Sequence, residues 1–303
     1  TAVVECFMPN GANSSYYLLM KFLPVEPNKY LLIGHLVNYV LDELLHDLQI
    51  SFEKILKHVF MIAPLSFTLL SDQEVLEIVR TVKTHFMNLK RVIEQDFPGL
   101  ELHPERCVVE PSFYAPQFGI QGRIDVLYKK AKNESSIIEL KSGSPFRENM
   151  YGLSVNHYTQ TLLYDLMVRS VYNYKTKPLN YILYSKLGKQ NLRFAPTVKA
   201  AQMEAISVRN DIYAIERKMT DNKGVSDLLK EIRIVNFTGA YGFLKSDIER
   251  FEKMYQSLDS LEQSYFNRMS SFITLEHHLA KTGTHNNREN NGMANMWLGN
   301  DAD

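Results

Sequence analysis

Two carboxylates and a lysine in the middle of the chain have the types and spacing needed for hydrolytic chemistry. Asp125 follows three residues after Gly122, and Glu139 and Lys141 flank Leu140 at the end of an apolar run. In a strand, Glu139 and Lys141 lie on one face, because side chains alternate along the chain. Carboxylates and a backbone carbonyl suit Mg²⁺ or Mn²⁺, and an ammonium can hold the attacking water. The pattern predicts metal-assisted phosphodiester hydrolysis, with Asp125, Glu139 and the Leu140 carbonyl as metal ligands.

A second set of polar residues is expected on the helix that follows. His157, Gln160 and Tyr164 are three and four residues apart, so they line one helical face. An amide and a phenol there could fix a DNA phosphate or base. Arg123, two residues before Asp125, is expected to share the face of Asp125 and to meet phosphate. We expect DNA contacts from five residues: Gln160, Tyr164, Arg123, His157 and Arg147.

Each of these signals also has an ordinary structural explanation. Glu-x-Lys at the end of a strand commonly forms a charged solvent face, and a single Asp at a strand end is equally unspecific. The ordered set is much rarer, since it combines Gly-x-x-Asp, Glu-x-Lys and Gln-x-x-x-Tyr within 43 residues, counting Gly122 to Tyr164. The complete set therefore favours a nuclease.

The surrounding pattern predicts an α/β fold, a restriction-endonuclease-like mixed sheet flanked by helices, with an additional C-terminal helical region. Helical apolar repeats precede Pro98-Gly99, while β-branched segments follow Arg106. A single strand is expected over residues 120–128 and a hairpin turn over 129–135. The predicted divisions are an N-terminal segment (1–28), a nuclease core with N-terminal helices (29–196), a C-terminal helical region (197–281) and a flexible connection (282–303).

Composition narrows the class of protein further. The chain of 303 residues has no net charge, but residues 122–190 hold 11 Lys and Arg against 5 Asp and Glu, which suits a polyanionic partner. No apolar run is long enough for a membrane span, and the first residues lack a signal-peptide pattern. Two cysteines, Cys6 and Cys107, cannot form a disulfide framework. We therefore expect an intracellular protein without a membrane partner.

These motifs resemble the RecB-type branch of the PD-(D/E)xK nucleases, and most closely the nuclease domain of the eukaryotic-type DNA replication nuclease-helicases. Residues 115–125 (APQFGIQGRID) are similar to that family's S-P-x-F-G-L-x-G-x-I-D, and residues 138–143 (IELKSG) to its L-E-L-K-T-G. His157, Gln160, Leu163 and Tyr164 match H-x-x-Q-x-x-L-Y. Glu110 stands where the family has an upstream acid. The resemblance covers about residues 30–215 and implies a deoxyribonuclease.

The chain departs from the family in three places. Asn38 occupies the position of a metal-binding histidine in the family's first helix, so the resemblance implies a weaker ligand there, with Glu110 as a further assisting group. No cysteine follows Cys107, so the family's four-cysteine iron–sulfur cluster cannot form. No G-x-x-x-x-G-K-[ST] motif appears either, and this chain has no ATP site.

The resemblance implies cleavage of single-stranded or flap DNA in replication or repair, with a helicase domain in cis or in trans as a candidate partner. Two alternatives remain open from the residues alone. One is a non-catalytic module that grips single-stranded DNA or a partner, and the other is a nuclease on duplex DNA or RNA that uses the same core.

Overall fold

A computed structural model describes residues 2–8, 10–23, 29–131, 134–172, 178–220, 224–240 and 242–282. The helices are α1 (Tyr16–Phe22), α2 (Lys29–His46), α3 (Phe52–Ile62), α4 (Pro64–Thr68), α5 (Asp72–Arg91), α6 (Phe97–Gly99), α7 (Val155–Tyr172), α8 (Lys199–Met219), α9 (Gly224–Lys230), α10 (Gly242–Ser257) and α11 (Ser260–Thr282). The strands are β1 (Phe7–Met8), β2 (Gly11–Ala12), β3 (Cys107–Val109), β4 (Ser112–Ala115), β5 (Ile120–Arg123), β6 (Val126–Ala131), β7 (Glu134–Lys141), β8 (Leu179–Tyr184) and β9 (Leu192–Phe194). None of the helices in these described ranges is both long and apolar enough to cross a membrane.

The chain divides into two compact units. One comprises residues 26–206 and contains all the predicted site residues, and the other comprises residues 1–25 and 207–303. In the second unit the N-terminal residues pack with C-terminal ones: the Tyr16 and Phe237 rings meet edge-on at 5.2 Å, and Lys21 Nζ lies 2.7 Å from Glu216. The domain limits drawn from sequence stay predictions, and the connection predicted over 282–303 falls outside the described residues except for Thr282.

A five-stranded mixed sheet forms the centre of the 26–206 unit. Its order is β3-β6-β7-β8-β9, and β7 and β8 are parallel whereas the other neighbours are antiparallel. A parallel pair needs a long crossover, and α7 lies in the chain between β7 and β8. The predicted α/β class, a mixed sheet flanked by helices with a helical C-terminal region, is confirmed.

Strand alternation gives the sheet two apolar faces. Ile138 and Leu140 of β7 belong to a large core with residues of α2, α3 and α5. The opposite face includes Ile182 of β8 and packs with Leu162 of α7. Glu139 and Lys141 alternate along β7 with Ile138 and Leu140. The period of two therefore directs their side chains toward the opposite, α7 side of the sheet.

The helix termini follow local sequence signals. Ser71 and Glu74 form a capping box at the start of α5, because the Ser71 hydroxyl accepts from the Glu74 N–H and the Glu74 carboxylate accepts from the Ser71 N–H. The first helical apolar repeats are divided between two helices, since α2 ends at His46 and Ser51 caps α3.

The strand predicted over residues 120–128 is wrong in the structure. β5 pairs only with β4 in a separate hairpin, whereas β6 belongs to the large sheet. Ile124 and Asp125 lie between them, so strand alternation does not continue from Arg123 to Asp125. The predicted turn over residues 129–135 is also too long, because Lys129 pairs with Ser135 inside the β6–β7 ladder.

Candidate active site

Asp125 is fixed at the start of β6 by the neighbouring strand. Its Oδ2 accepts a hydrogen bond from the Leu140 N–H at 2.7 Å, while the Asp125 carbonyl accepts from the Glu110 N–H at 2.9 Å. The pairing of Val126 with Ile138 places the end of β7 beside this carboxylate. Asp125 therefore meets the Glu139–Lys141 end of β7, as the sequence predicts. Asp125 lies in the junction between β5 and β6, however, and not within one continuous strand.

Glu139 and Lys141 form a buried ion pair on the α7 side of the sheet. Lys141 Nζ lies 2.8 Å from Glu139 Oε1, and the side chains are 20% and 2% exposed, respectively. The same ammonium donates to Gln160 Oε1 at 2.8 Å. The glutamate–lysine pair and the helix residue Gln160 therefore converge as the sequence predicts.

The electrostatics of the pair reflect burial and charge. Desolvation raises the pKa of the Glu139 carboxyl above its ordinary value, and the nearby Asp125 raises it further, against the opposing effect of Lys141. Burial likewise raises the pKa of Asp125, although the Leu140 N–H counteracts it. Burial works against the Lys141 ammonium, but the Glu139 carboxylate more than offsets it, so the pKa of Lys141 lies above its usual value. A further positive charge at the carboxylates would relieve their mutual repulsion.

A chain of hydrogen bonds runs from the ion pair to the β4–β5 hairpin. Gln160 Nε2 donates to the Tyr164 hydroxyl at 2.8 Å, and that hydroxyl donates to the Arg123 carbonyl at 2.7 Å. Gln160 and Tyr164 thus hold Lys141 and the hairpin through contacts inside the protein. Their direct contact with DNA stays a prediction.

One observation bears on whether a divalent cation fits here. Glu139 Oε2 is buried and accepts no hydrogen bond in the described structure, and the Asp125 carboxylate lies within side-chain contact of Glu139. A buried carboxylate oxygen without a partner is costly, and a cation is the partner such an oxygen accepts most readily. In the described ranges no group of three or more His, Cys, Asp or Glu side chains could hold a metal ion. The donors fit a cation such as Mg²⁺, which keeps several waters and needs few protein ligands. The Leu140 carbonyl as a ligand stays a prediction.

Glu110 and Arg123 form a more exposed pair beside the buried one. Arg123 Nη1 lies 3.1 Å from Glu110 Oε2. Glu110 has a φ of 48°, the left-handed region that a residue with a side chain rarely adopts. This kink separates β3 from β4, so it redirects the chain from the large sheet into the hairpin.

Asp42 on α2 was not singled out in the sequence. Burial raises the pKa of Asp42 to about 7, and the charges of Glu110 and Asp125 contribute to the increase. Asp42 is therefore within electrostatic reach of both acids. Asn38 precedes it by one helical turn and is half-buried, so the two side chains share a helical face. The available sequence signal was this four-residue spacing.

His157 and Arg147 occupy different environments. His157 Nδ1 lies 3.2 Å from the Tyr184 hydroxyl, and burial lowers the pKa of His157 to about 3, with Lys141 acting in the same direction. The imidazole is therefore neutral near pH 7, and its contact with DNA stays a prediction. Arg147 is exposed and lies over the Phe146 ring, 5.3 Å from its centroid.

Comparison with known proteins gives limited matches. No protein-family model matches the chain. A stretch of 135 residues, 42% of the chain, is 26% identical to the DNA replication ATP-dependent helicase/nuclease DNA2 of Xenopus tropicalis and covers 12% of that protein. A crystal structure of a candidate exonuclease from Eubacterium rectale has a TM-score of 0.46 and 15% identity, over 71% of this chain and 79% of that one. This structural likeness is too weak to support an inference about activity. The sequence match supports a relationship to a nuclease, and the RecB-type assignment stays a prediction.

Proposed function

We propose that this chain is a Mg²⁺- or Mn²⁺-dependent nuclease that hydrolyses phosphodiester bonds in single-stranded or flap DNA. One observation carries the proposal: buried Glu139 pairs with Lys141 beside Asp125 while its second oxygen lacks a partner. A buried carboxylate oxygen without a partner destabilises a purely structural ion pair. In a functional site the same oxygen gains a partner when the ligand binds. The sequence similarity to a helicase/nuclease supports the same activity class.

In this proposal, Asp125 and Glu139 hold the cation, and Asp42, Glu110 and Asn38 supply negative charge or a polar oxygen nearby. A divalent cation in such a site lowers the pKa of bound water and neutralises charge on the phosphate.

Lys141 is positioned to orient the nucleophile. An ammonium has three N–H donors, and the described contacts occupy two of them, with Glu139 and Gln160 as acceptors. The third donor is available for a water molecule or a phosphate oxygen. Because its pKa lies above the ordinary lysine value, Lys141 keeps its proton and acts as a hydrogen-bond donor, not as a base.

The substrate assignment has separate support. Residues 122–190 carry an excess of positive charge, 11 basic against 5 acidic side chains, which favours a nucleic-acid backbone. The chain spans 12% of the helicase/nuclease that it resembles. A role in replication or repair, intracellular localisation and a helicase partner in cis or in trans are all part of the proposal.

One observation favours a second candidate, a non-catalytic module that binds single-stranded DNA. Within the described ranges no three acidic, histidine or cysteine side chains form a ready metal cage. A domain that had lost catalysis could keep the same Lys141–Gln160 contact for structural reasons.

Cleavage assays decide between the two candidates. Labelled single-stranded, flapped, duplex and RNA oligonucleotides are incubated with the chain in Mg²⁺, Mn²⁺ or EDTA. We expect metal-dependent degradation of the single-stranded and flapped DNA. Asp125→Asn, Glu139→Gln and Lys141→Ala should each reduce cleavage by roughly 10²–10⁴-fold while DNA binding is largely kept.

Glu134→Gln is the matched control, because Glu134 is an exposed glutamate on the same strand as Glu139. It should cleave like the unmodified chain. Metal-dependent cutting that survives in all three site variants contradicts the site assignment. Binding without any cleavage supports the module, and duplex-only or RNA-only cleavage contradicts the proposed substrate.

A further inference from the structure

The β4–β5 hairpin has two different faces. Its register pairs Ser112 with Arg123 and Tyr114 with Gln121, so these four side chains point to one side. The alternate residues Phe113, Ala115 and Ile120 are buried. We call the side that carries Ser112, Tyr114, Gln121 and Arg123 the hairpin platform.

The buried face attaches the hairpin to α7. Phe113 meets Tyr172 edge-on at 6.0 Å. A Cβ at Gly122 would lie 3.0 Å from Tyr164 Cε1 and 2.9 Å from Met167 Cε, so β5 runs close against α7. The Tyr164 hydroxyl holds the Arg123 carbonyl. Because α7 also carries Gln160, the contact partner of Lys141, the platform has a fixed position relative to the candidate active site.

The exposed side chains of the platform have the chemistry of a single-strand binding surface. Tyr114 is 64% exposed and the Arg123 side chain is 62% exposed. They are diagonal neighbours on the two strands, since Arg123 lies two residues beyond Gln121, the partner of Tyr114. Such neighbours are about 7–8 Å apart, close to the rise of about 7 Å for two stacked nucleotides. Phe113 and Tyr158, two other aromatic residues of this region, are buried. Among these three aromatic residues, Tyr114 is the exposed one, and its ring is accessible to a base.

Arg123 also connects the platform to the carboxylates. Its guanidinium pairs with Glu110, and its charge opposes part of the increase in the pKa of Asp42. A phosphate bound by Arg123 would therefore lie near the carboxylates of Glu110 and Asp42, where a cation would neutralise the remaining negative charge of the phosphate. Paired bases are stacked inside a duplex and cannot offer a ring face to Tyr114, whereas unpaired bases can.

We propose that the hairpin platform binds the single-stranded nucleic acid that enters the active site, with one base stacked on Tyr114 and a neighbouring phosphate on Arg123. The platform thereby selects unpaired over paired substrate. This inference rests on the proposed nuclease function and assigns its substrate path.

The test uses the full chain and a short single-stranded oligonucleotide that carries 2-aminopurine, in EDTA for binding and in Mg²⁺ for cleavage. Tyr114→Ala should weaken binding roughly 5- to 100-fold, the range for loss of one stacked base, and abolish quenching of 2-aminopurine at one position. Tyr114→Phe keeps the ring and should behave like the unmodified chain. Arg123→Gln should reduce the slope of log affinity against log salt by about 0.7, the value for one single-strand phosphate.

Tyr213→Ala is the control, because Tyr213 lies on α8 and is similarly exposed, at 60%. It should leave binding and quenching unchanged. If the unmodified chain cleaves but Tyr114→Ala binds and cleaves like it, the platform is refuted and the nuclease proposal stands. An equal loss with Tyr213→Ala, or an equal loss on blunt duplex, also refutes the platform. If the unmodified chain neither binds nor cleaves, both proposals fail.

Discussion

Replacing Tyr164 by Phe tests whether the Gln-x-x-x-Tyr pair touches DNA or positions Lys141. The hydroxyl accepts from Gln160 Nε2 at 2.8 Å and donates to the Arg123 carbonyl at 2.7 Å. The substitution removes these two hydrogen bonds and retains the ring that packs against Gly122. It therefore isolates the polar role of the side chain.

The structure sets the size of the effect. At about 0.5–1.5 kcal/mol for each hydrogen bond, the free energy of unfolding should fall by about 1–3 kcal/mol. A domain of 150–250 residues loses about 2–4 °C in Tm per kcal/mol. Without the hydroxyl, the Gln160 amide loses one of the bonds that orient it toward Lys141. Misorientation worth about 1 kcal/mol in the transition state lowers kcat roughly fivefold, and KM should change little.

Urea unfolding and single-turnover cleavage measure the two effects together. Tyr128→Phe is the matched control, because the buried Tyr128 donates one hydrogen bond to the Glu101 carbonyl at 2.8 Å. It should lose about 0.5–1.5 kcal/mol of stability and keep kcat. Unchanged stability with a large increase in KM would refute the positioning role and indicate direct contact between Tyr164 and DNA.

Two other substitutions test packing and pH dependence. Gly122→Ala places a Cβ 3.0 Å from Cε1 of the Tyr164 ring and 2.9 Å from the end of the flexible Met167 side chain. Because the ring cannot bend away as the methionine can, the substitution should destabilise the fold by about 1–3 kcal/mol in urea unfolding. Gly188→Ala, with open space around it, should not, and equal stabilities contradict the close packing of β5 on α7. Burial lowers the pKa of His85 from 6.5 to about 4, so the folded state favours the neutral imidazole. The free energy of unfolding should therefore be constant above pH 6.5 and should fall by about 3 kcal/mol in total as the pH drops toward and below 4. His85→Gln should remove this part of the pH dependence, and His58→Gln, an exposed control, should keep it; the same pH profile in both variants contradicts the assignment to His85.

Local pattern determined much of the fold and the site. The period of two along β7 predicted that Glu139 and Lys141 share a face, and their ion pair confirms it. The spacing on α7 predicted that Gln160 and Tyr164 lie together, which the 2.8 Å hydrogen bond shows. These features depend on backbone periodicity and on contacts within a few residues, so the sequence contains them directly.

Features that depend on distant segments were decided by the tertiary structure. Residues 120–128 were predicted as a single strand, and only the pairing of β5 with β4 and of β6 with β7 divides them. Asp42 was not singled out in the sequence, and only packing placed it, half-buried, within electrostatic reach of Glu110 and Asp125.

The sequence by itself determined which residues carry the proposed chemistry and which of them share a strand or helix face, because those relations are local. Only the tertiary structure decided what each polar group meets. It gave the Gln160–Tyr164 pair partners inside the protein, exposed Tyr114 beside Arg123 and left Glu139 Oε2 buried without a partner. Burial and hydrogen-bond satisfaction depend on segments far apart in the chain, so no single stretch of sequence specifies them.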